Sequence, residues 1–160
     1  MFISEAFFEA LRTKFKNEYQ GRFGDFAQSP RMQACLDPTL LITQHRANYF
    51  LGPHTDRREK VITCIFNVPE DNRHEAIGTA LYSPKDPSFI SDGLVHHDPK
   101  LFDYVSTIPF RMNSALIFFR TDVSFHGVEL LTDETLTSSR RRNVQFNLWD
   151  WGVRPESLKG

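Results

Sequence analysis

The 160-residue sequence predicts a mainly β domain in which one helix is followed by about eight short strands. Helical periodicity, with apolar residues three and four positions apart, is confined to residues 4–19. From residue 40 onward, short runs rich in β-branched and aromatic residues alternate with polar turns, which is typical of strands. The length suits one domain, 1–160, with a β core over about 40–150. A jelly roll of eight strands in two sheets is the simplest closure for this pattern.

The predicted helix supports this core from its N-terminal side. Ser4 can cap the first turn through its side-chain oxygen, and Glu5 suits the positive end of the helix dipole. The apolar positions of the helix are Phe8, Leu11, Phe15 and Tyr19. Gly21 and Gly24 interrupt the pattern beyond it.

Seven segments have clear strand patterns, and the strongest of them is rich in β-branched residues. They are residues 40–43, 47–51, 60–68, 78–82, 115–119, 124–131 and 141–149. Residues 101–110 are ambiguous between a short helix and a strand. Residues 83–100 carry three prolines and one glycine, and a loop of this length is expected to cover a functional site. Residues 132–139 are predicted to be a polar turn.

Composition excludes several functional classes. The formal net charge of −1 gives no electrostatic case for nucleic acid or for an anionic membrane, so neither is expected as a partner. No stretch approaches the length of a membrane span, and the first residues do not have the pattern of a signal peptide. Cys35 and Cys64 are the only cysteines, which favours free thiols in a reducing cytoplasm.

Three residues predict a metal site. His54 and Asp56 form an H-x-D pair, and alternate residues of a strand point to one face. His126 is expected on a later strand that meets this pair across the sheet. Two imidazoles and one carboxylate can hold one face of an octahedral metal and leave the other face open, as in non-haem Fe(II) oxygenases. The H-x-D pair alone is a weak signal, because a histidine beside an aspartate often only caps a turn.

An arginine after His126 could hold a carboxylate of an organic acid on the open face of the metal. Arg140, Arg141 and Arg142 leave the choice open, but alternation favours Arg141. It shares a polar strand face with Asn143, Gln145 and Asn147. His96 and His97, in the long loop, are expected to be solvated or to contact substrate. His45 and His74 are expected at the surface.

The set His54-Thr55-Asp56, His126-Gly127-Val128 and Arg141-Arg142-Asn143 resembles the motif order of the Fe(II)/2-oxoglutarate-dependent oxygenase superfamily, which includes prolyl hydroxylases. The resemblance covers about residues 40–150. It implies a double-stranded β-helix, a cupin-like jelly roll with a supporting N-terminal helix. His54, Asp56 and His126 would be the iron ligands and the catalytic centre, and Arg141 would pair with the C5 carboxylate of 2-oxoglutarate. Tyr49, Asn48 and Thr63 are candidates for further cosubstrate contacts.

The same resemblance implies a dioxygenase that uses Fe(II), 2-oxoglutarate and O2. Because related halogenases lack the carboxylate that Asp56 supplies, we expect hydroxylation of an unactivated C–H bond, with a small metabolite or amino acid as substrate. A peptidyl, prolyl-type hydroxylase and a non-catalytic metal- or ligand-binding β-barrel are the alternatives. Members of the family usually have more helix before the first strand than the single helix predicted here. A homo-oligomer, in which a partner subunit covers part of the sheet, is therefore also considered.

Overall fold

Strands dominate the fold. The structure, a computed structural model, describes residues 4–29, 31–132 and 140–152. Within these ranges the α-helices are α1 (Glu5–Lys14) and α2 (Lys16–Phe23). The strands are β1 (Asp37–His45), β2 (Leu51–His54), β3 (Lys60–Asn67), β4 (Thr79–Pro84), β5 (Phe102–Ile108), β6 (Ala115–Phe119), β7 (His126–Val128) and β8 (Arg141–Trp149). The prediction of a mainly β chain is therefore confirmed.

The eight strands form two antiparallel sheets of four strands each. The first sheet has the order β1-β8-β3-β6, and the second has the order β2-β7-β4-β5. This arrangement is consistent with a β-sandwich. The ambiguous residues 101–110 contain β5, and the strand predicted over 47–51 instead begins at Leu51, after a turn in which Asn48 has a φ of 63°. Most of the predicted turn over 132–139 lies outside the described residues.

The predicted helix begins as expected but is divided in two. The Ser4 side chain accepts a hydrogen bond from the Phe7 N–H at 3.3 Å, which caps α1. At Phe15 the backbone leaves the helical region, with φ −109° and ψ 31°, and the chain then continues as α2 past Gly21. The bend keeps apolar side chains of both helices against one sheet, and tertiary packing thus decides where the helix breaks.

The core that positions the site lies between the helices and the first sheet. Leu11 and Tyr19 pack there with buried residues of β3 and β8, among them Ile62 and Phe146. Because side chains alternate along a strand, this packing directs the other face of β8 away from the helices. That opposite face carries the buried polar residues Arg141, Asn143 and Asn147. Among the described residues, no helix is long and apolar enough to cross a membrane.

Candidate metal centre

A cavity of about 100 Å³ lies between the two sheets and is lined by strands of both. His54, the last residue of β2, is paired directly with His126, the first residue of β7. Asp56 follows β2 by two residues. One ligand atom from each of these three residues lies within 4.8 Å of the others. Strand register therefore brings together the three predicted metal ligands, although His126 is distant from the other two along the chain.

Both imidazoles are oriented by the backbone. The Nδ1 atom of His54 lies 3.0 Å from the carbonyl oxygen of Gly52, and Nδ1 of His126 lies 3.0 Å from the carbonyl oxygen of Ser124. A carbonyl oxygen can only accept, so each Nδ1 must carry the proton. Each Nε2 then keeps a lone pair for a metal, and the hydrogen bond at Nδ1 holds the ring in place.

The electrostatic environment keeps the two histidines neutral. Burial, and then the neighbouring His126, lower the pKa of His54 to about 4, although the Gly52 carbonyl and Asp56 act in the opposite direction. Burial is also the main cause that lowers the pKa of His126. Neutral imidazole is the form that binds metal ions, so both side chains are in the metal-binding form at neutral pH.

The Asp56 carboxylate is held by two donors from β3. Its Oδ1 atom accepts from the Lys60 ammonium at 2.7 Å, and its Oδ2 atom accepts from the Thr63 hydroxyl at 2.6 Å. Burial alone would raise the pKa of Asp56, but His126, Lys60 and Thr63 together lower it below its ordinary value. The carboxylate is therefore ionised. Thr63, which is predicted as a cosubstrate contact, bonds the predicted metal ligand and also lines the cavity.

The backbone at Asp56 is fixed by the long loop between β4 and β5. The buried Arg120 donates from Nε to the carbonyl of Asp56 at 2.9 Å and from Nη2 to the carbonyl of Ser91 at 3.0 Å. Gly93 has a φ of 80°, and a Cβ atom there would lie 2.0 Å from the carbonyl oxygen of Asp56. This part of the loop packs against the ligand segment.

The two loop histidines differ in position. The exposed ring of His96 stacks on His54, with centroids 4.7 Å apart and planes 10° apart, so it lies at the edge of the metal site. His97 turns away, where its Nε2 lies 2.9 Å from the Ser91 hydroxyl. Its ring packs with three phenylalanines, Phe89, Phe102 and Phe125. The two neighbouring histidines thus have different surroundings, and it is His96 that lies next to the metal site.

Arg141 lies at the other end of the cavity and is only 2% exposed. Its guanidinium donates to Ile77 O at 2.7 Å and to three side-chain atoms: His45 Nδ1 at 2.9 Å, Asn143 Oδ1 at 2.9 Å and Thr79 Oγ1 at 3.2 Å. All four acceptors are neutral, and no carboxylate of the described residues forms an ion pair with it. Burial lowers the pKa of Arg141 to about 10, against an opposing effect of Tyr49, so the group is still a cation at neutral pH.

The two arginines that flank Arg141 in the sequence lie at the surface. Arg140 is exposed, and Arg142 bonds Gln44 and Glu70 at the surface, so Arg141 is the arginine that faces the cavity. Tyr49 lines the cavity beside Arg141, whereas Asn48 lies in an exposed turn outside the cavity lining.

His45 was expected at the surface, and this expectation is wrong. Strand β1 extends to His45, beyond its predicted end, because it pairs along its whole length with β8 and sets His45 opposite Arg141. The ring lines the cavity, 4.2 Å from the ring of Tyr49. Lys60, Arg120 and Gly93 were also missed by the sequence analysis. None of the three carried a signal of a site role in the local sequence pattern.

Two imidazoles with free Nε2 atoms and one ionised carboxylate are a donor set that fits Fe(II), and the set covers only one side of a metal. The buried cation at the far end of the same cavity fits an organic acid that reaches from the metal to Arg141. The residues present therefore fit both groups that the sequence resemblance implies.

Comparisons with known proteins add little at the level of sequence. No family model matches the chain, and no curated protein matches it. Among solved structures, a prolyl-4-hydroxylase from Pseudomonas putida is similar, with a TM-score of 0.42 and 15% sequence identity. The match covers 91% of this chain and 61% of that chain, so this chain spans about three fifths of the length of that protein.

Proposed function

We propose that this chain is an Fe(II)- and 2-oxoglutarate-dependent dioxygenase, an oxidoreductase that hydroxylates an unactivated C–H bond of a small metabolite or amino acid. One observation carries the proposal. A single cavity has His54, Asp56 and His126 at one end and, at the other, a buried Arg141 with only neutral partners among the described residues. A dicarboxylic 2-oxo acid matches both ends, because it can chelate a metal and still offer a distant carboxylate.

The strand pairing supports a double-stranded β-helix as the fold of this single domain. The pairs β1·β8, β2·β7, β3·β6 and β4·β5 are all antiparallel, so the chain pairs from its ends inward, as in a jelly roll. Successive pairs belong alternately to the two sheets. Such winding leaves a cavity between the sheets, which is where the proposed iron site lies.

Each residue then has a role that its contacts support. His54, Asp56 and His126 would hold Fe(II), with Thr63 orienting the carboxylate through its 2.6 Å bond. Arg141 would anchor the C5 carboxylate of 2-oxoglutarate. When bound, Fe(II) and 2-oxoglutarate supply the oxidising chemistry: O2 is reduced, 2-oxoglutarate becomes succinate and CO2, and one oxygen atom enters the substrate. The protein excludes water and sets the orientation.

The substrate would approach beside His54, where the exposed His96 ring is stacked. A free amino acid or other small metabolite is the first class to test, and a prolyl peptide is the second. Because the net charge is only −1, a nucleic acid remains outside the proposal.

The decisive experiment measures succinate. The purified protein is supplied with Fe(II), 2-oxoglutarate and O2, with and without a panel of free amino acids and prolyl peptides. We expect succinate formation that requires both Fe(II) and O2, and that rises with the true substrate. The double variant His54→Ala/His126→Ala should lose both bound metal and succinate formation, whereas His74→Ala, which changes a histidine outside the cavity, should retain both. Unchanged metal content in the double variant would contradict the proposed site.

One observation favours a second function, a ligand-binding β-barrel without turnover. The Lys60 ammonium already neutralises Asp56, so the carboxylate is paired without any metal. This alternative predicts that the protein binds 2-oxoglutarate but releases no succinate with any substrate of the panel. Calorimetric titration of 2-oxoglutarate, run beside the succinate assay, separates the two functions.

A further inference from the structure

Among the described residues, the buried side-chain amide of Asn147 is without the hydrogen bonds that such a group normally makes. It is 0% exposed, and neither Nδ2 nor Oδ1 of its amide has a hydrogen-bond partner among the described residues. Buried amides in native proteins are almost always hydrogen-bonded, because an unpaired donor or acceptor loses its bonds to water without replacement. An amide with both ends unpaired therefore indicates a missing partner.

Asn147 is not among the residues that line the cavity, but strand pairing sets it next to Thr63, a lining residue at the metal end. Arg141, Gln145 and Asn147 share one face of β8, and the first two line the cavity. Asn147 is directly opposite Thr63 on β3, and Thr63 donates to the Asp56 carboxylate. Along this face, Arg141 is thus at one end, Gln145 lies between, and Asn147 lies beside the residue that orients the proposed metal ligand.

The two hydroxyls nearest in the sheet bond other partners. The Thr63 hydroxyl has a single hydrogen, which it donates to Asp56. On the other side, Asn147 is opposite Thr39 of β1, whose hydroxyl accepts from the Trp149 indole N–H at 2.9 Å. Neither hydroxyl bonds the Asn147 amide, which is therefore left without a partner on both neighbouring strands.

We propose that Asn147 is a binding residue for the 2-oxo acid, and that its Nδ2 group donates to the carboxylate next to the oxo group, at the metal. This inference rests on the proposed function and extends it to the opposite end of the cosubstrate from Arg141. An amide suits this position because Lys60 and Arg141 already supply positive charge to the cavity, so a neutral donor adds direction without a third cation. Asn147 would thereby select acids that carry a carboxylate beside the oxo group.

A ligand-binding role and a structural role predict different results for Asn147→Leu. Leucine has the same number and branching of side-chain heavy atoms as asparagine, but it has no group that needs a hydrogen bond. The variant should unfold at a higher temperature than wild type when no ligand is present, because the unpaired amide is gone. It should also bind 2-oxoglutarate more weakly, since the donor to the carboxylate is gone. A merely structural residue would change stability alone.

The test uses Mn(II) in place of Fe(II), so that binding is measured without turnover. Calorimetric titrations give the affinity for Mn(II) alone and then the affinity of the Mn(II) form for 2-oxoglutarate. For Asn147→Leu we expect the 2-oxoglutarate Kd to rise by about tenfold or more, which is the loss of one hydrogen bond to a charged group, with the Mn(II) Kd nearly unchanged. Thr43→Val is the matched control, because it removes the other buried side-chain oxygen that is unpaired among the described residues, Thr43 Oγ1, at a position opposite Asn143 and not beside Thr63.

Three outcomes would overturn the inference. An unchanged 2-oxoglutarate Kd in Asn147→Leu would show that the amide does not touch the cosubstrate, and an equal loss of Mn(II) affinity would assign it to the metal instead. Weaker 2-oxoglutarate binding in Thr43→Val would show a general effect of the sheet. If the wild-type Mn(II) form does not bind 2-oxoglutarate, the proposed function itself fails. Should Asn147→Leu not fold, Asn147→Ser keeps a polar group that is too short to reach, and the same rise in Kd is expected.

Discussion

The ammonium of Lys60 lies 2.7 Å from the Oδ1 atom of Asp56, the carboxylate of the candidate metal centre. Both side chains are largely buried, at 13% and 10% exposure, and the ammonium also lies 5.2 Å from the ring centroid of Trp149. A divalent cation at this centre must therefore be held close to a fixed positive charge. The same charge favours any anion that binds next to the metal.

We expect Lys60→Met to bind Mn(II) more tightly than wild type, by about tenfold or more, because a buried like charge near the cation is removed. The free protein should be less stable, since Asp56 loses its buried partner, and its melting temperature should rise more steeply with added Mn(II). Calorimetry and thermal unfolding measure the two effects. Arg57→Met, which removes a charge from an exposed side chain one residue from Asp56, should change the Mn(II) affinity far less. Weaker Mn(II) binding by Lys60→Met would mean that the ammonium orients Asp56 for the metal.

Thr63→Val should have the opposite effect on metal affinity. The substitution keeps the shape of the side chain but removes the 2.6 Å hydrogen bond that fixes Oδ2 of Asp56. Loss of a group that orients a metal ligand typically costs about 10–100-fold in affinity. We therefore expect the Kd for Mn(II) to rise by about that factor. An unchanged Kd would show that Lys60 alone is sufficient to hold the carboxylate.

Arg141→Ala should weaken 2-oxoglutarate binding and spare the metal. Removing one partner of a buried, hydrogen-bonded charge pair costs about 2–5 kcal/mol, which is roughly 30-fold or more in Kd. Titration of the Mn(II) form with 2-oxoglutarate, and with 2-oxobutyrate, which lacks the distant carboxylate, tests this. The wild type should prefer 2-oxoglutarate, and the variant should lose that preference. Arg142→Ala is the matched control at the surface. An effect of Arg142→Ala alone would show that the inward face of β8 carries Arg142 and not Arg141.

Strand periodicity was sufficient to predict the mainly β fold and the inward face of β8. Alternation along residues 141–149 separated Arg141 from Arg142 without any structure, because one face of that strand is apolar and the other is polar. Likewise, H-x-D spacing and a distant histidine anticipated that His54 and His126 would meet, and the cross-strand register brings them opposite each other. The local sequence pattern predicts the direction of a side chain where that direction depends only on the residue's own strand.

The remaining parts of the site depend on contacts that local periodicity does not predict. The sequence shows Lys60 only as a charged residue at the start of a strand. The folded structure brings its ammonium group to the Asp56 carboxylate. Arg120 follows β6 and reads as a surface charge, yet it binds the backbone carbonyl of Asp56. His45 was assigned to a turn because the apolar pattern stops before it, whereas pairing with β8 extends the strand. Pairing of this kind is a tertiary effect that overrides local propensity.

Gly93→Ala should weaken metal binding, although Gly93 contacts no proposed ligand atom. A Cβ atom there would lie 2.0 Å from the carbonyl oxygen of Asp56, so the ligand segment must shift. The positive φ of 80° adds backbone strain of its own. Gly24→Ala separates the two effects, because Gly24 also has a positive φ, 57°, but nothing lies within 4 Å of the added Cβ atom.

Both variants should therefore lose stability by about 1–2 kcal/mol from strain. Only Gly93→Ala should lose Mn(II) affinity as well. Urea unfolding and calorimetry on both proteins make the comparison. Equal Mn(II) affinity in the two variants would show that the loop can move away from Asp56 without cost to the site.

His45 should make the stability of the protein depend on pH. Burial, and then the neighbouring Arg141 cation, lower the pKa of His45 to about 4, from its ordinary value of 6.5. Between these two values the unfolded chain binds a proton at this position and the folded chain does not. The free energy of unfolding therefore falls as the pH drops from 6.5 toward 4, and the stabilisation is fully present above that window.

His45→Gln removes this titration while its side-chain oxygen can still accept a hydrogen bond from Arg141. We expect a smaller loss of unfolding free energy between pH 7 and pH 5 than in the wild type, measured by urea unfolding at both values. The pKa of His54 is also lowered to about 4, so the variant should retain part of the dependence, and the difference between the two proteins isolates His45. An identical pH dependence in both proteins would mean that the folded state accepts a proton at His45 as readily as the unfolded chain does.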